Sequence, residues 1–451
     1  MKFGRIAVCI VFVAAAACSA TGGPFAEPAA DGGKTGEGTL RPAVRAQSEN
    51  AHDQAAPISA PLTAEQKIAD FDFLYEQYRE NYPYLKVNER TGGGDWLAQK
   101  EFNERAAART ESDEEFFRTM NRILRKLHNG HARMVDEGEY RTVKALMERH
   151  MPGNYGPWIE QFDLPAARAR YRQEDQPDRD SALERSAAML RQSKPLVLDS
   201  LEAGKVAYVK IPGLENERIE GDMEQLLPFL RENCGADALI FDIRGNGGGD
   251  SRYWTHHLIP ILLDEPAAWT EYSAYRGGET GISFIEAKRG MVYASLPGIE
   301  ALKKERLPAL PPEIYTDFDR YEKYENRIEP DREHSIGFRG RIYLLVDGGV
   351  FSSAEKWAVF AKSTGWATLV GRLTGGDGIG WEGAYVTLPN SGYMFRMELG
   401  MGLDSTGAAN FEVRTEPDIR IGDRTRSVEG LENDPDVRAV LAAEKRCRGN
   451  K

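Results

Sequence analysis

The sequence predicts an α/β fold in which strands alternate with helices, preceded by a mainly helical region. Two patterns indicate this. Between residues 63 and about 195, apolar residues recur at helical spacing within strongly charged segments. From residue 205 onward, short apolar strands alternate with amphipathic helices, as expected for parallel strands joined by crossover helices. With 451 residues, 41% of them hydrophobic, the chain is long enough for two or three structural units.

The first residues have the pattern of an export signal. Two basic residues precede an apolar run from Ile6 to Ala17, which is too short to span a membrane and is typical of a secretory signal peptide over residues 1–17. The run closes on three alanines and Cys18, which resembles a bacterial lipoprotein processing site with Cys18 as the lipidated residue. Ordinary cleavage after Ala20 is the alternative. We therefore expect an exported protein.

Residues 18–62 are rich in Ala, Gly, Pro and Glu without apolar periodicity, which predicts a flexible tether. A lipid on Cys18 would anchor the folded part to a membrane of a bacterial cell envelope, in the periplasm or at the outer membrane. The net charge of −12 and the lack of a long basic cluster argue against a nucleic-acid partner. Cys234 and Cys447 form either one disulfide or two free buried thiols.

The helical subdomain is predicted over residues 63–195. Thr63 and Gln66 have the spacing of a capping box, which places a helix start at Thr63. A second such start lies at Ser112, and that helix is predicted to end at Asn129-Gly130.

The α/β core is predicted over residues 196–425, with an aromatic- and proline-rich insertion at 251–335. Strands are predicted where β-branched and aromatic residues run together, at 205–211, 238–241, 342–346 and 367–370. Helices are predicted around 223–230, at about 353–362 and, within a closing segment 426–451, at 433–447. A hairpin is predicted at 383–400, turning at Asn390-Ser391-Gly392.

Three motifs contain residues suited to chemistry. Asp242 to Asp250 follows a strand, and its consecutive glycines let backbone N–H groups approach an oxyanion, although it lacks the ending of a phosphate loop. Phe351 to Glu355 opens a helix, where a serine is either a helix cap or a nucleophile beside helix N–H groups. Leu127 to His131 contains two histidines without a third ligand nearby, so we expect no metal.

Together, the order and spacing of these motifs resemble the tail-specific or C-terminal processing serine peptidases. The pattern is most similar to the branch that contains the tricorn protease core and interphotoreceptor retinoid-binding protein. The resemblance spans about residues 65–425. It implies a Clp protease/crotonase-like core of ββα units with an α-helical N-terminal subdomain, and no cofactor.

The resemblance implies Ser352 as the nucleophile, with Ser353 as the nearest rival. Processing peptidases use a Ser–Lys dyad, but Asp377 stands where their lysine would be expected. The tricorn-like branch uses histidine and glutamate, which match His131 and Glu412. Imidazole can take the serine proton, and a carboxylate can fix the imidazole tautomer.

The same resemblance implies an oxyanion hole formed by the backbone N–H of Gly247 or Gly248 together with that of Ser353. Three other histidines are alternative bases: His128, His256 and His257.

The sequence thus predicts an exported serine endopeptidase that cleaves exposed or unfolded protein segments. No peptide-clamp signature of the processing peptidases occurs between residues 135 and 200, so selectivity for C-termini is not expected. Two alternatives remain, a catalytically inactive ligand-binding protein on the same fold and an esterase with the same catalytic residues.

Overall fold

The computed structural model describes residues 61–150, 156–171, 195–202, 204–380, 383–422 and 430–449. The predicted signal peptide, Cys18 and the tether as far as residue 60 lie outside the described residues. Across the ranges that the structure describes, every helix is too short or too polar to span a membrane.

The chain forms an α/β fold, as predicted. The strands are β1 Arg133–Val135, β2 Val197–Leu201, β3 Val206–Lys210, β4 Ala238–Asp242, β5 Ala267–Tyr275, β6 Arg320–Ile328, β7 Arg341–Val346, β8 Thr368–Gly371, β9 Ala384–Thr387, β10 Met394–Met397, β11 Gly400–Leu403 and β12 Ile419–Arg420. The α-helices are α1 Ala64–Asn81, α2 Leu85–Asn88, α3 Lys100–Ala108, α4 Asp113–Arg125, α5 Glu137–His150, α6 Gly156–Asp163, α7 Pro165–Arg170, α8 Ile219–Glu232, α9 Arg252–Thr255, α10 Glu279–Arg289, α11 Ile314–Asp317, α12 Ser353–Thr364, α13 Asn410–Val413 and α14 Pro435–Gly449.

The central sheet has six strands in the order β12-β8-β7-β4-β3-β2. All neighbouring pairs are parallel except β2 and β3. The strand–helix alternation in the sequence is therefore confirmed. Because parallel strands end at the same edge of a sheet, the loops after β4 and β7 lie side by side there, with Asp242 opposite Leu345.

Helices cover both faces of this sheet. On one face, α8 and α12 pack against the strands through residues such as Leu226 and Trp357, which are fully buried. On the other face, α14 packs through Val437 and Val440 against Ile240. This burial holds α12, the helix that begins after the second motif, rigidly against the sheet.

The helices of the N-terminal region begin where the sequence predicts. Thr63 forms a capping box with Gln66, and the Ser112 hydroxyl accepts the N–H of Glu115 at the start of α4. The chain after α4 adds one strand that was not predicted, β1, which pairs antiparallel with β10 of the predicted β9–β10 hairpin. This pairing ties the segment after α4, which includes the third motif, to the second half of the chain.

The predicted insertion contains a long antiparallel pair, β5 and β6, which forms a three-stranded sheet with β11. Cys234 and Cys447 are free and exposed, so neither a disulfide nor a pair of buried thiols is present.

Candidate active site

The glycine-rich loop after β4 is fixed by Asn246, which is fully buried. The Asn246 side chain donates to the Ile211 carbonyl at 3.0 Å and accepts the Gly248 N–H at 2.9 Å. Its backbone carbonyl accepts the Phe351 N–H at 3.1 Å. One asparagine therefore sets the shape of the loop and joins it to the residue before Ser352.

Ser352 lies at the N-terminus of α12, in the position of the helix cap, but its side chain makes no capping hydrogen bond. Its backbone is held at φ 56° and ψ −125°, which is unusual for a residue with a side chain. The N–H of Ser352 donates to the Gly376 carbonyl at 3.4 Å. The backbone therefore presents this hydroxyl in a strained conformation instead of using it as a cap.

Gly248 lies directly against this turn. A methyl group at Gly248 would come within 2.8 Å of Ser352 Cβ and 2.9 Å of the Ser353 nitrogen, and the φ of Gly248 is +101°. Glycine is thus required at this position for steric reasons. The Gly248 N–H is already bonded to Asn246, so the N–H of Gly247 and that of Ser353, the first residue of α12, are the candidate oxyanion donors.

The rival serine, Ser353, is buried, with 5% of its surface exposed. Its hydroxyl lies 3.0 Å from the Ser251 hydroxyl and accepts a hydrogen bond from the Trp254 indole at 3.4 Å. These contacts favour Ser352 over Ser353 as the reactive hydroxyl.

His131 lies in the loop between α4 and β1, and its Nδ1 is 2.8 Å from Asp377 Oδ2. Asn129 joins the two residues, because its amide donates to Asp377 Oδ2 at 3.0 Å and its carbonyl oxygen accepts the His131 N–H at 2.7 Å. The imidazole contacts the Phe351 ring, with the centroids 4.8 Å apart. The histidine is therefore oriented by a carboxylate and lies beside the residue that precedes Ser352.

A second carboxylate also reaches His131. Glu398 Oε1 lies 3.2 Å from His131 Nδ1 and 3.5 Å from the Arg396 guanidinium. Burial lowers the pKa of His131, Arg396 lowers it further, and the hydrogen bond to Asp377 opposes the shift. The imidazole is therefore neutral at pH 7, which is the form that can accept a proton.

Glu412, predicted to orient His131, lies elsewhere. It is on α13 and forms an ion pair of 2.6 Å with Arg90, which also binds Glu313 at 2.8 Å. Among the described residues, the carboxylates within ion-pair distance of His131 are Asp377 and Glu398. The only sequence signal for Asp377 was that an acidic residue replaces the lysine of the processing peptidases.

The alternative histidines have other surroundings. His128 Nδ1 contacts the Asn88 side chain at 3.1 Å, and His256 Nδ1 contacts the Thr255 hydroxyl at 2.6 Å. Burial lowers the pKa of both His256 and His257. None of these three makes an ion pair with Asp377 among the described residues.

The donor atoms of His131, Asp377 and Glu398 lie within 4.8 Å of one another, and these donor types suit a zinc ion. However, Asp377 lies at hydrogen-bond distance from the imidazole, and the Arg396 guanidinium already supplies positive charge to Glu398. We therefore interpret His131 and Asp377 as a hydrogen-bonded pair that orients the imidazole, with Glu398 as a second carboxylate at ion-pair distance.

The first turn of α12 is anchored by Glu355, which is fully buried. Its carboxylate accepts the Asn410 amide at 2.9 Å and the Thr415 hydroxyl at 2.7 Å. Burial raises the pKa of this carboxyl, and the hydrogen bonds oppose the shift. Glu355 thus fixes the segment from 410 to 415 against the helix that begins after Ser352.

The candidate site thus combines a strained serine at a helix N-terminus, a glycine loop beside it and a carboxylate-oriented histidine on an α/β fold. Residues 205–421 match the model of Peptidase family S41, so the chain carries an S41 peptidase domain. This family consists of serine peptidases, and the resemblance drawn from the motifs is confirmed.

Several solved structures are similar at low identity. A lipoprotein from Streptococcus agalactiae is 13% identical, with 86% of this chain and 98% of that chain covered and a TM-score of 0.45. Mature CPAF is 12% identical, with 79% and 92% covered and a TM-score of 0.47. The photosystem II D1 C-terminal processing protease is 14% identical, with 84% and 98% covered and a TM-score of 0.39. No curated protein matches the chain.

Proposed function

We propose that the protein is an exported serine endopeptidase that cleaves exposed or unfolded protein segments. Ser352 is the nucleophile, His131 the general base and Asp377 the carboxylate that orients it. The observation that carries this proposal is the 2.8 Å contact between His131 Nδ1 and Asp377, in a loop that packs on Phe351. The export signal and the lipid anchor at Cys18 remain part of the proposal as sequence predictions.

The proposed reaction is acyl transfer in two steps. Ser352 Oγ attacks the peptide carbonyl carbon while His131 Nε2 accepts the hydroxyl proton, and the N–H groups of Gly247 and Ser353 stabilise the oxyanion. His131 then gives this proton to the leaving amine, which breaks the peptide bond. A water molecule, activated by the same imidazole, hydrolyses the acyl-serine.

Asp377 accepts the Nδ1–H of His131 and so leaves Nε2 as the unprotonated nitrogen, which is the one a base needs. When the imidazole becomes charged in the transition state, both Asp377 and Glu398 stabilise the positive charge. These contacts support a catalytic role for Asp377, which stands where the Ser–Lys enzymes have their lysine. Asp377 acts through His131 and not on the serine itself.

To test the proposal, the full chain is incubated with unfolded proteins and the cleavage products are identified by mass spectrometry. We expect cuts with the wild type and with Ser353→Ala, and none with Ser352→Ala. Cuts that persist in Ser352→Ala would refute the assignment of the nucleophile. Hydrolysis of acetyl esters without any peptide cleavage would favour the esterase instead. A folded wild-type protein that has neither activity would favour the binding protein.

A further inference from the structure

Arg414 lies near the candidate site and has a strained backbone, but the reaction proposed above does not use it. The described residues include six non-glycine residues with positive φ: His128, Glu202, Arg306, Ser352, Asp377 and Arg414. Three of them surround Gly376. Ser352 donates its N–H to the Gly376 carbonyl, Asp377 follows Gly376, and Arg414 Cγ lies 3.2 Å from where a methyl group on Gly376 would be. Because such strain concentrates at functional sites, Arg414 is a candidate member of this one.

The conformation of Arg414 is more unusual than a left-handed turn. Its φ of 58° and ψ of −174° fall in a region that essentially only glycine occupies. Neighbouring contacts impose this conformation, because the Arg414 N–H donates to the Asn410 carbonyl at 2.8 Å and the Thr415 N–H donates to the Thr374 hydroxyl at 2.7 Å. Through Glu355, both Asn410 and Thr415 are tied to α12. Arg414 is therefore held at a fixed position relative to Ser352.

The charge of Arg414 is not balanced by its neighbours in sequence. Glu412 pairs with Arg90, and Glu416 pairs with Arg420. Arg414 is exposed and makes no ion pair with any residue in the described part of the chain. Two apolar side chains nearby in the sequence are also exposed. Val413, which precedes Arg414, is 45% exposed, and Leu373, which precedes Thr374, is 39% exposed. The guanidinium is thus available to a ligand, and it is carried by a backbone that is tied to α12, the helix that begins after Ser352.

We propose that Arg414 binds a carboxylate of the peptide substrate, and this proposal rests on the peptidase function proposed above. A guanidinium binds a carboxylate through two parallel hydrogen bonds, which gives both affinity and orientation. The carboxylate belongs either to an aspartate or glutamate side chain near the scissile bond or to the free C-terminus of the substrate. The enzyme therefore prefers substrates with a carboxylate at a fixed distance from the cleaved bond.

The test compares fluorogenic peptides built on one sequence that the full-length enzyme cleaves. Aspartate or asparagine is placed in turn at each position near the scissile bond, and each peptide is made with a free or an amidated C-terminus. The variants are Arg414→Gln, Arg414→Lys and, as the matched control, Arg420→Gln, which removes an exposed arginine that is paired with Glu416. In parallel, fluorescein-labelled copies of the peptides are titrated with Ser352→Ala protein, with and without Arg414→Gln, and followed by fluorescence anisotropy.

We expect a carboxylate at one position to raise kcat/KM by about tenfold or more in the wild type. Arg414→Gln should abolish this gain, so that carboxylate and amide peptides are cleaved with equal kcat/KM by this variant. Arg414→Lys should keep part of the gain, and Arg420→Gln should keep all of it. If amidation of the C-terminus removes the gain in kcat/KM, Arg414 binds the free C-terminal carboxylate. If the gain is lost when aspartate is replaced by asparagine, Arg414 binds that side-chain carboxylate.

Equal rates for carboxylate and amide peptides in the wild type, or an unchanged gain in Arg414→Gln, would overturn the proposal while leaving the peptidase function intact. A protein that cleaves no peptide would contradict the proposed function. In that case the anisotropy titration decides, and carboxylate peptides that bind equally with and without Arg414 overturn the role of Arg414.

Discussion

The two halves of the candidate site are built differently. On the serine side, the backbone sets the geometry, since Ser352 is strained, the Gly376 carbonyl accepts its N–H and Gly248 leaves no room for a side chain. On the histidine side, side chains set the geometry, since His131 is held by Asn129 and Asp377 through hydrogen bonds. Close backbone approaches require glycine, whereas a hydrogen-bonded side chain can be held by several different residue types.

This difference has consequences for substitution. A methyl group added on the serine side meets backbone atoms that cannot move away, so even small changes should be severe. A changed partner on the histidine side alters the orientation and the pKa of one imidazole, so its effects should be graded and dependent on pH. The following predictions compare the two halves, from the largest expected effect to the smallest.

The adjacent serines give the sharpest comparison on the serine side. Ser352→Ala should lower peptide cleavage by at least about 10⁴-fold, because it removes the nucleophile. Ser353→Ala should keep the activity and lower the free energy of unfolding by about 1 kcal/mol, because its hydroxyl bonds to Ser251 and Trp254. Cleavage assays and urea denaturation of both variants measure these effects. A reversed pattern would identify Ser353 as the nucleophile.

The carboxylates give the corresponding comparison on the histidine side. His131→Ala should lower the rate by about 10²–10⁴-fold, and Asp377→Asn should lower kcat by a similar factor of about 10²–10⁴ through the wrong imidazole tautomer. Glu412→Gln should leave kcat unchanged and cost at most about 1 kcal/mol of stability, since its partner Arg90 keeps Glu313.

Steady-state kinetics of the three proteins check this prediction. A large loss in Glu412→Gln together with an unaffected Asp377→Asn would restore the carboxylate implied by the family resemblance.

The protonation of His131 predicts a pH profile. Because burial lowers the pKa of His131, kcat/KM should persist below pH 6.5 before it falls by about tenfold per pH unit on the acid side. Since the hydrogen bond to Asp377 raises this pKa, Asp377→Asn should move the acid limb to lower pH. The charged groups near the imidazole are Asp377, Glu398, Arg396 and Arg133. An acid limb that moves upward in Asp377→Asn would contradict the contact.

The same shift affects stability. A histidine whose pKa is lower in the folded protein binds fewer protons there than in the unfolded chain. The contribution of His131 is therefore neutral well above pH 6.5 and becomes destabilising as the pH falls below it. The variant His131→Gln lacks this pH-dependent contribution to stability. The difference in free energy of unfolding between wild type and variant should therefore change with pH only below about pH 6.5.

The part of the site that is fixed by the backbone could be predicted from the sequence, because it has local signals. The glycines of 245–249 follow a clear strand, and Ser352 opens a clear helix, so each loop could be placed relative to its own strand or helix. The individual role of Gly248 was not predictable. Its N–H is taken by the Asn246 side chain, which depends on a local fold that spacing alone does not define.

The part that is fixed by side chains was predicted less well. His131 followed from the resemblance, but its partner Asp377 is 246 residues away and reaches it only in the tertiary structure. The three-residue strand β1, which ties the chain after His131 to β10, is too short to give a period-two pattern. Glu412 matched a family spacing along the chain, whereas its actual partner, Arg90, lies in the helical region.

The smallest predicted effect tests whether the strain at Arg414 is real. Arg414→Gly should be more stable than Arg414→Ala by about 1 kcal/mol, because glycine adopts φ 58° and ψ −174° without strain and this gain exceeds its larger loss of chain entropy. At Arg420, in strand β12, the same pair should have the opposite order, since glycine weakens an extended strand. Urea denaturation of the four variants measures both differences. If the glycine variant is less stable than the alanine variant at both positions, Arg414 is unstrained. Backbone strain around Gly376 is then confined to Ser352 and Asp377.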